Sequence, residues 1–223
     1  MLRMYEQRHA SGRLMLLALF VSCAPAFGQK YEITPLFGAT FGGTMHLEQT
    51  GTPNFYAHIA DSFSFGLTGG YRFEGDGDDH SAIEFRWMRQ SSHLFVQHDP
   101  LAPIPYMTAS FRPSITIDEF LADFTHEFAT VESPRVEPFV TGSLGAALLS
   151  APASSATRFV WGVGGGVKVF PSTHWGVRLL MEYRPVVMHT ELQKLVCAGG
   201  CVVVLNGGIM NQFVVSLGPS FRF

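Results

Sequence analysis

An all-β fold, an eight-stranded antiparallel up-and-down transmembrane β-barrel, is predicted by three observations. Segments that alternate apolar with small or polar residues recur from residue 30 onward, charge is scarce, and the connections between segments alternate in length. Only 15% of the 223 residues are charged, against 20 Phe and 23 Gly. A soluble domain coats itself with far more Lys and Glu. No run of about 18 apolar residues occurs, so a membrane-spanning helix is not expected.

Residues 1–28 read as a cleavable secretory signal: Arg3, Arg8 and Arg13 form a basic start, Leu14 to Val21 an apolar core, and Ala24-Pro25-Ala26-Phe27-Gly28 a small-residue cleavage region. Phe20-Val21-Ser22-Cys23 also fits a lipoprotein signal, with Cys23 acylated, although Phe20 is a poor match at its first position. Residues 29–223 then form one barrel domain. Losing three Arg and one Glu with the signal leaves 12 basic against 17 acidic residues, a net charge of −5. That balance excludes nucleic acid as a partner class. Cys197 and Cys201, in Cys-Ala-Gly-Gly-Cys, are expected to form a disulfide in an oxidising compartment. A loop that short contributes only roughly 2 kcal/mol.

The first strand sets Tyr31, Ile33, Pro35, Phe37, Ala39 and Phe41 on one face against Glu32, Thr34, Gly38 and Thr40. Phe63 to Phe73 opposes Phe63, Phe65, Leu67, Tyr71 and Phe73 to Ser64, Gly66, Thr68, Gly70 and Arg72, and Ala82 to about Ser91 opposes Ile83, Phe85 and Trp87 to Glu84, Arg86, Met88 and Gln90. The fourth, about Thr116 to Phe128, opposes Phe120, Ala122, Phe124 and Phe128 to Glu119, Asp123 and Glu127. Val136 to Leu148, Arg158 to Phe170, Trp175 to Val187 and Met210 to Phe223 complete the set. Each is close to the roughly 9–11 residues that a tilted membrane strand needs. The alternation in the last segment also suits a half-buried strand of a soluble sandwich.

Residues 74–81, 129–135 and 171–174 read as short turns, and 43–61, 92–115, 149–157 and 188–209 as longer loops. Short turns on the periplasmic side and longer extracellular loops outside are the asymmetry of an outer-membrane barrel. Strict alternation points seven acids (Glu32, Glu84, Glu119, Asp123, Glu127, Glu137 and Glu182) and six bases (Arg72, Arg86, Lys168, Arg178, Arg184 and Arg222) into a narrow wet interior. Near balance predicts an internal ion-paired network rather than an ion-selective lining. Glu32 and Arg222 should meet where the first and last strands close the barrel. Gly162, Gly164 and Gly166 make room for long neighbours such as Arg178 and Glu182. Trp87, Trp161, Trp175, Tyr31, Tyr71 and Tyr183 share the apolar face, several near strand ends where interfacial girdles belong. Arg89 and His126 also fall on that face, and each needs headgroup height or a β-bulge.

The chain resembles the small outer-membrane β-barrels represented by the OmpA transmembrane domain, the OmpX/Ail family and the opacity-type porin-like family. The resemblance is carried by the signal, the closing strand with Phe221 and Phe223, Val136-Glu-Pro-Phe-Val-Thr-Gly-Ser-Leu-Gly145, and the segments Phe159 to Pro171 and Trp175 to Arg184. It implies a home in the outer membrane of a diderm bacterium, in contact with its lipid and lipopolysaccharide. It also implies insertion by the barrel assembly machinery, which reads the C-terminal aromatic Phe223, and no cofactor.

Motifs for other chemistry are weak. Gly162-Val-Gly-Gly-Gly-Val-Lys168 lacks phosphate-loop spacing, and Asp76-Gly-Asp-Gly-Asp-Asp79 lacks the later ligands of a calcium loop. His46, His58, His93, His98 and His189, with Asp61, Ser62, Ser91, Ser92, Asp99 and Glu191 as companions, are the candidates for an enzyme acting on lipid A. The expectation is a monomeric, non-enzymatic scaffold with no metal site, whose loops at 92–115 and 188–209 contact an unknown extracellular partner or serve envelope integrity. A narrow porin-like channel, a lipid A-modifying enzyme and a soluble lipocalin-like binder are the alternatives.

Overall fold

The structure, a computed structural model, describes residues 30–47, 55–74, 79–97, 114–128, 135–151, 154–188, 193–196, 202–205 and 208–223. The signal segment, Cys23, Cys197 and Cys201 lie outside them. Eight staves build the wall: β1 (Tyr31–Gly42), β4 (Ser62–Glu74), β5 (His80–Gln97), β6 (Ser114–Glu127), β7 (Val136–Ala151), β8 (Ser154–Val169), β9 (Trp175–Met188) and β12 (Gly208–Arg222). Every stave pairs antiparallel with its neighbours in the order β5-β4-β1-β12-β9-β8-β7-β6, and the β5–β6 pairing closes the cylinder. Closure leaves no open sheet edge around the wall.

Alternation sorts the side chains by solvent. On the outside Phe63 is 64% exposed, and Ile83 and Leu144 are each 60% exposed. On the inside Arg178 and Lys168 are 0% exposed. This is a globular protein's polarity inverted, with hydrocarbon outside and charge inside. Aromatic residues border the apolar band. Tyr31, Tyr71 and Phe223 cluster at one rim, with ring centroids 5.4 and 6.3 Å apart, and Trp161 meets Tyr183 edge-on at 6.3 Å toward the other.

Beyond the wall, β2 (Thr44–Leu47) and β3 (Phe55–Ile59) prolong β1 and β4 as one hairpin in unbroken register. The joint between β1 and β2 is Gly42-Gly43, at φ +84° and +112°, a backbone region that L side chains rarely adopt. Gly42 N–H donates to Asp61 Oδ1 at 3.1 Å. Between the pairs Ile59↔Leu94 and Ser64↔Gln90, five steps on one side face four on the other, so a β-bulge sits at Ala60-Asp61. Ser92 Oγ donates to the freed Ala60 carbonyl at 2.5 Å.

Four readings of the connections change. Residues 149–157, expected as a loop, are mostly ladder: Leu149↔Ala156, Ser150↔Ser155 and Ala151↔Ser154 continue the β7–β8 pairing. Much of the expected loop at 43–61 is the β2–β3 hairpin, and β5 runs on to Gln97 inside the expected loop at 92–115. Val202–Leu205 (β11) pairs with Gln193–Val196 (β10) in a separate two-stranded sheet, while Gly208 pairs with Met188 of the wall. Asn206-Gly207, which could make a tight hairpin turn, lies outside the described residues.

Candidate functional site

The lumen has a charged floor and an apolar cap. At the floor, the rim holding Tyr31 and Phe223, Arg222 Nη2 donates to Glu32 Oε2 at 3.0 Å and to Glu137 Oε2 at 2.9 Å. Glu32 and Arg222 are register partners across the β1–β12 seam. Arg72 Nε donates to Glu127 Oε2 at 2.6 Å, and Lys168 Nζ lies 2.8 Å from Glu32, 2.6 Å from Glu127 and 3.4 Å from Glu84. Arg178 grips Glu84 with two parallel bonds of 2.8 Å. Four carboxylates and four cations, one from each of the eight staves, balance in this tier.

The tier above holds Arg86 between Asp123 (3.0 Å) and Glu182 (2.8 Å), and Arg184 between Glu182 (2.6 Å) and Glu119. Ser143 Oγ also donates to Glu182 Oε1. Thr125 Oγ1 bonds to Glu84 Oε2 of the floor tier at 3.3 Å and to Thr141 Oγ1 at 3.1 Å. A lone ion in this setting costs several kcal/mol of desolvation; bidentate and shared charge-assisted bonds offset it, which is why each ion here touches at least one opposite charge. Glycine gives the network room at Gly162, where an added Cβ would stand 2.6 Å from Glu182 Oε1. At Gly164 and Gly166 the crowding comes mainly from backbone, the carbonyl oxygens of Met181 and Leu179 at 2.5 and 1.9 Å. The room expected there for Arg178 and Glu182 is thus made chiefly by Gly162.

Two inward aromatics escaped the sequence reading, which gave aromatic residues to the lipid face. Phe139 lies under Arg178 at 4.7 Å from its guanidinium carbon, and Arg222 lies over the Phe170 ring at 3.8 Å. Parity was the available signal: Phe139 shares its face with Glu137 and Thr141, and Phe170 with Lys168. The upper lumen also departs from the expected wet interior. Ile59, Leu94, Ile117, Leu149, Val186, Met188 and Met210 pack there in one buried cluster. Most of these positions lie in the stave ends that had been read as loops, so their inward parity was not counted.

Arg89 and His126 face outward with no bulge, since the β5–β6 register is continuous from His80↔Glu127 to His93↔Ser114. Arg89 sits opposite Asp118, an outward acid the sequence reading passed over, and is bound to it at 2.7 and 2.9 Å while Trp87 Nε1 donates to the same carboxylate at 3.2 Å. His126 is near the floor rim, 3.0 Å from Ser81 Oγ and 3.8 Å from Asp79. Of the rim histidines, His58 Nδ1 lies 3.3 Å from Thr44 Oγ1. No group of three His, Cys, Asp or Glu side chains suited to a metal ion occurs among the described residues.

No protein-family model matches the sequence, and no curated protein matches it. Solved structures do. Neisserial surface protein A superposes with a TM-score of 0.51 at 17% identity, covering 88% of this chain and 98% of that one. The outer membrane protein OprG from Pseudomonas aeruginosa gives 0.51 at 12% identity, covering 87% and 96%. At such identities the likeness speaks of architecture alone: the chain has the fold of the small outer-membrane β-barrels.

Proposed function

We propose that this chain is an integral outer-membrane barrel whose wall is a non-enzymatic scaffold and whose far-rim loops contact a surface partner or support envelope integrity. The observation that carries the reading is the inverted polarity of the wall. A continuous belt of Phe, Leu, Val and Ile faces outward between aromatic borders, while thirteen ionic side chains are consumed inside. Water would not tolerate that exterior, and a lipocalin-like soluble barrel has the opposite arrangement. The rim with Tyr31 and Phe223 is then periplasmic, and the rim with β2, β3, β10 and β11 is extracellular.

A packed lumen argues for scaffold over channel, because the apolar cap and both ionic tiers of the described residues lie across the barrel axis. Among the described residues the inward carboxylates are engaged by cations, which supports a scaffold over acid–base work in the lumen. Electrophoresis of the detergent-solubilised protein with and without boiling tests the membrane reading: an intact barrel migrates apart from its unfolded form. A processed chain that stays monomeric and soluble without amphiphile would overturn it. Unchanged lipid A mass in a null host expressing the chain is the expected result for a scaffold.

A further inference from the structure

The wall is incompletely paired at the seam between its first and last staves. Between the pairs Ile33↔Phe221 and Phe37↔Leu217 the β1–β12 ladder has no paired rung, and Pro35 and Pro219 stand opposite each other at its centre. Proline brings no N–H to a ladder, so two facing prolines remove the bonds that would draw the strands together. Just outside this gap lies a groove of about 480 Å³ lined by Phe37, Gly38, Ala39, Val177, Leu217 and Gly218, with Phe63 and Pro219 at its edges. Gly38 and Gly218 belong to the inward parity, yet they line an outward groove, because they carry no side chain. The two backbones still run close together here, since a Cβ on Gly218 would meet the Pro35 carbonyl oxygen at 1.8 Å, so the stretch lacks bonds and leaves no room for a side chain.

We propose that this seam groove is a binding site for one phospholipid of the periplasmic leaflet, an acyl chain lying along Val177, Leu217 and Phe37 with its phosphate at the rim below. The inference rests on the membrane-barrel reading. The groove lies in the apolar band, so hydrocarbon is the medium that reaches it, and its volume is in the range of small-ligand sites, roughly 300–1,000 Å³. Charge selects the leaflet. Exposed Lys30 and His174 flank Phe223 beneath the groove: Tyr31, next to Lys30, donates its N–H to Phe223 O at 3.0 Å, and Arg222 N–H donates to His174 O at 2.8 Å. A cation beside Trp175 and Tyr31 at headgroup height suits a lipid phosphate, whereas at the seam's upper end acidic Asp61 accepts the Gly42 N–H.

The test is native mass spectrometry of the full chain extracted in mild detergent from vesicles of phosphatidylethanolamine and phosphatidylglycerol, with a parallel set containing lipid A. The wild type should keep one phospholipid per barrel. Ala39→Trp, which fills the groove from its lipid-facing side, should lower the retained fraction at least fivefold, and Lys30→Gln should lower phosphatidylglycerol retention about twofold. Leu217→Trp serves as the second filling variant, and heat-dependent mobility confirms that each variant is a folded barrel. Equal retention by wild type and both folded filling variants, preferential retention of lipid A, or dimers abolished by groove filling would each overturn the proposal. A wild type soluble without detergent would instead overturn the membrane reading beneath it.

Discussion

Glu84 is the residue on which the floor of the lumen turns, since it takes two bonds from Arg178, one from Lys168 and one from Thr125 with only 2% of its surface exposed. Removing one partner of a buried pair leaves the other charge uncompensated, at a cost of about 3–5 kcal/mol. Glu84→Ala should therefore destabilise the barrel by that order in urea titrations of vesicle-inserted protein. The paired change Glu84→Gln with Arg178→Met should cost clearly less than the two single losses together, because no naked guanidinium is left. Gly43 makes a second residue-scale case. Its φ of +112° and the 3.0 Å that would separate an added Cβ from Ile59 Cβ both penalise a side chain. Gly43→Ala should cost roughly 1–3 kcal/mol, the range for a residue held in a sparsely populated backbone region. The same unfolding assay reads it, and β1 below the joint should keep its pairing with β4.

At the scale of the stave, the outward face of β7 sits in hydrocarbon from Val140 to Leu148, with Leu144 near its middle. Leu144→Arg should cost about 2–4 kcal/mol, while Phe128→Arg, at the end of β6 by the rim, should cost only about 0–1 kcal/mol. A difference between the two sites in vesicle unfolding measures membrane depth directly, and equal costs would deny that lipid bathes the wall. The staves were legible because a period of two records which face meets which solvent, and lipid and lumen are very different solvents. Their ends were less so. Leu149 to Thr157 pairs through a connection of two residues, and its Ser and Ala content, with little amplitude between faces, looks like a loop in one dimension. β11 is Val-Val-Val-Leu, apolar at every position, so alternation carried no signal there. Asp118 and Phe139 were missed for a related reason. Residue type was allowed to speak before parity, whereas their positions in β6 and β7 already place Asp118 outward beside Arg89 and Phe139 inward beside Arg178.

For the whole molecule, the question is whether the lumen passes ions, and the answer follows from geometry. Eight strands enclose an interior only about wide enough for side chains to fill. Here those side chains fill it in layers of different chemistry: Phe170 and Arg222 at the floor, two ionic tiers above, then Ile117, Val186 and Met210 near the far rim. An ion crossing this stack would have to break the buried pairs and enter an aliphatic cap, losing its hydration without gaining ligands. Wild-type protein in a planar bilayer should therefore show no discrete conductance steps. The layering makes a sharper statement than silence alone. Met210→Ala with Ile117→Ala, removing large buried side chains at about 2–5 kcal/mol each, should weaken the fold yet leave the bilayer silent, since the Arg86 and Arg184 tier still blocks the axis. Steps that arise only on cap truncation would locate the barrier in the aliphatic layer, and steps in the wild type would show that the ionic tiers open as a path.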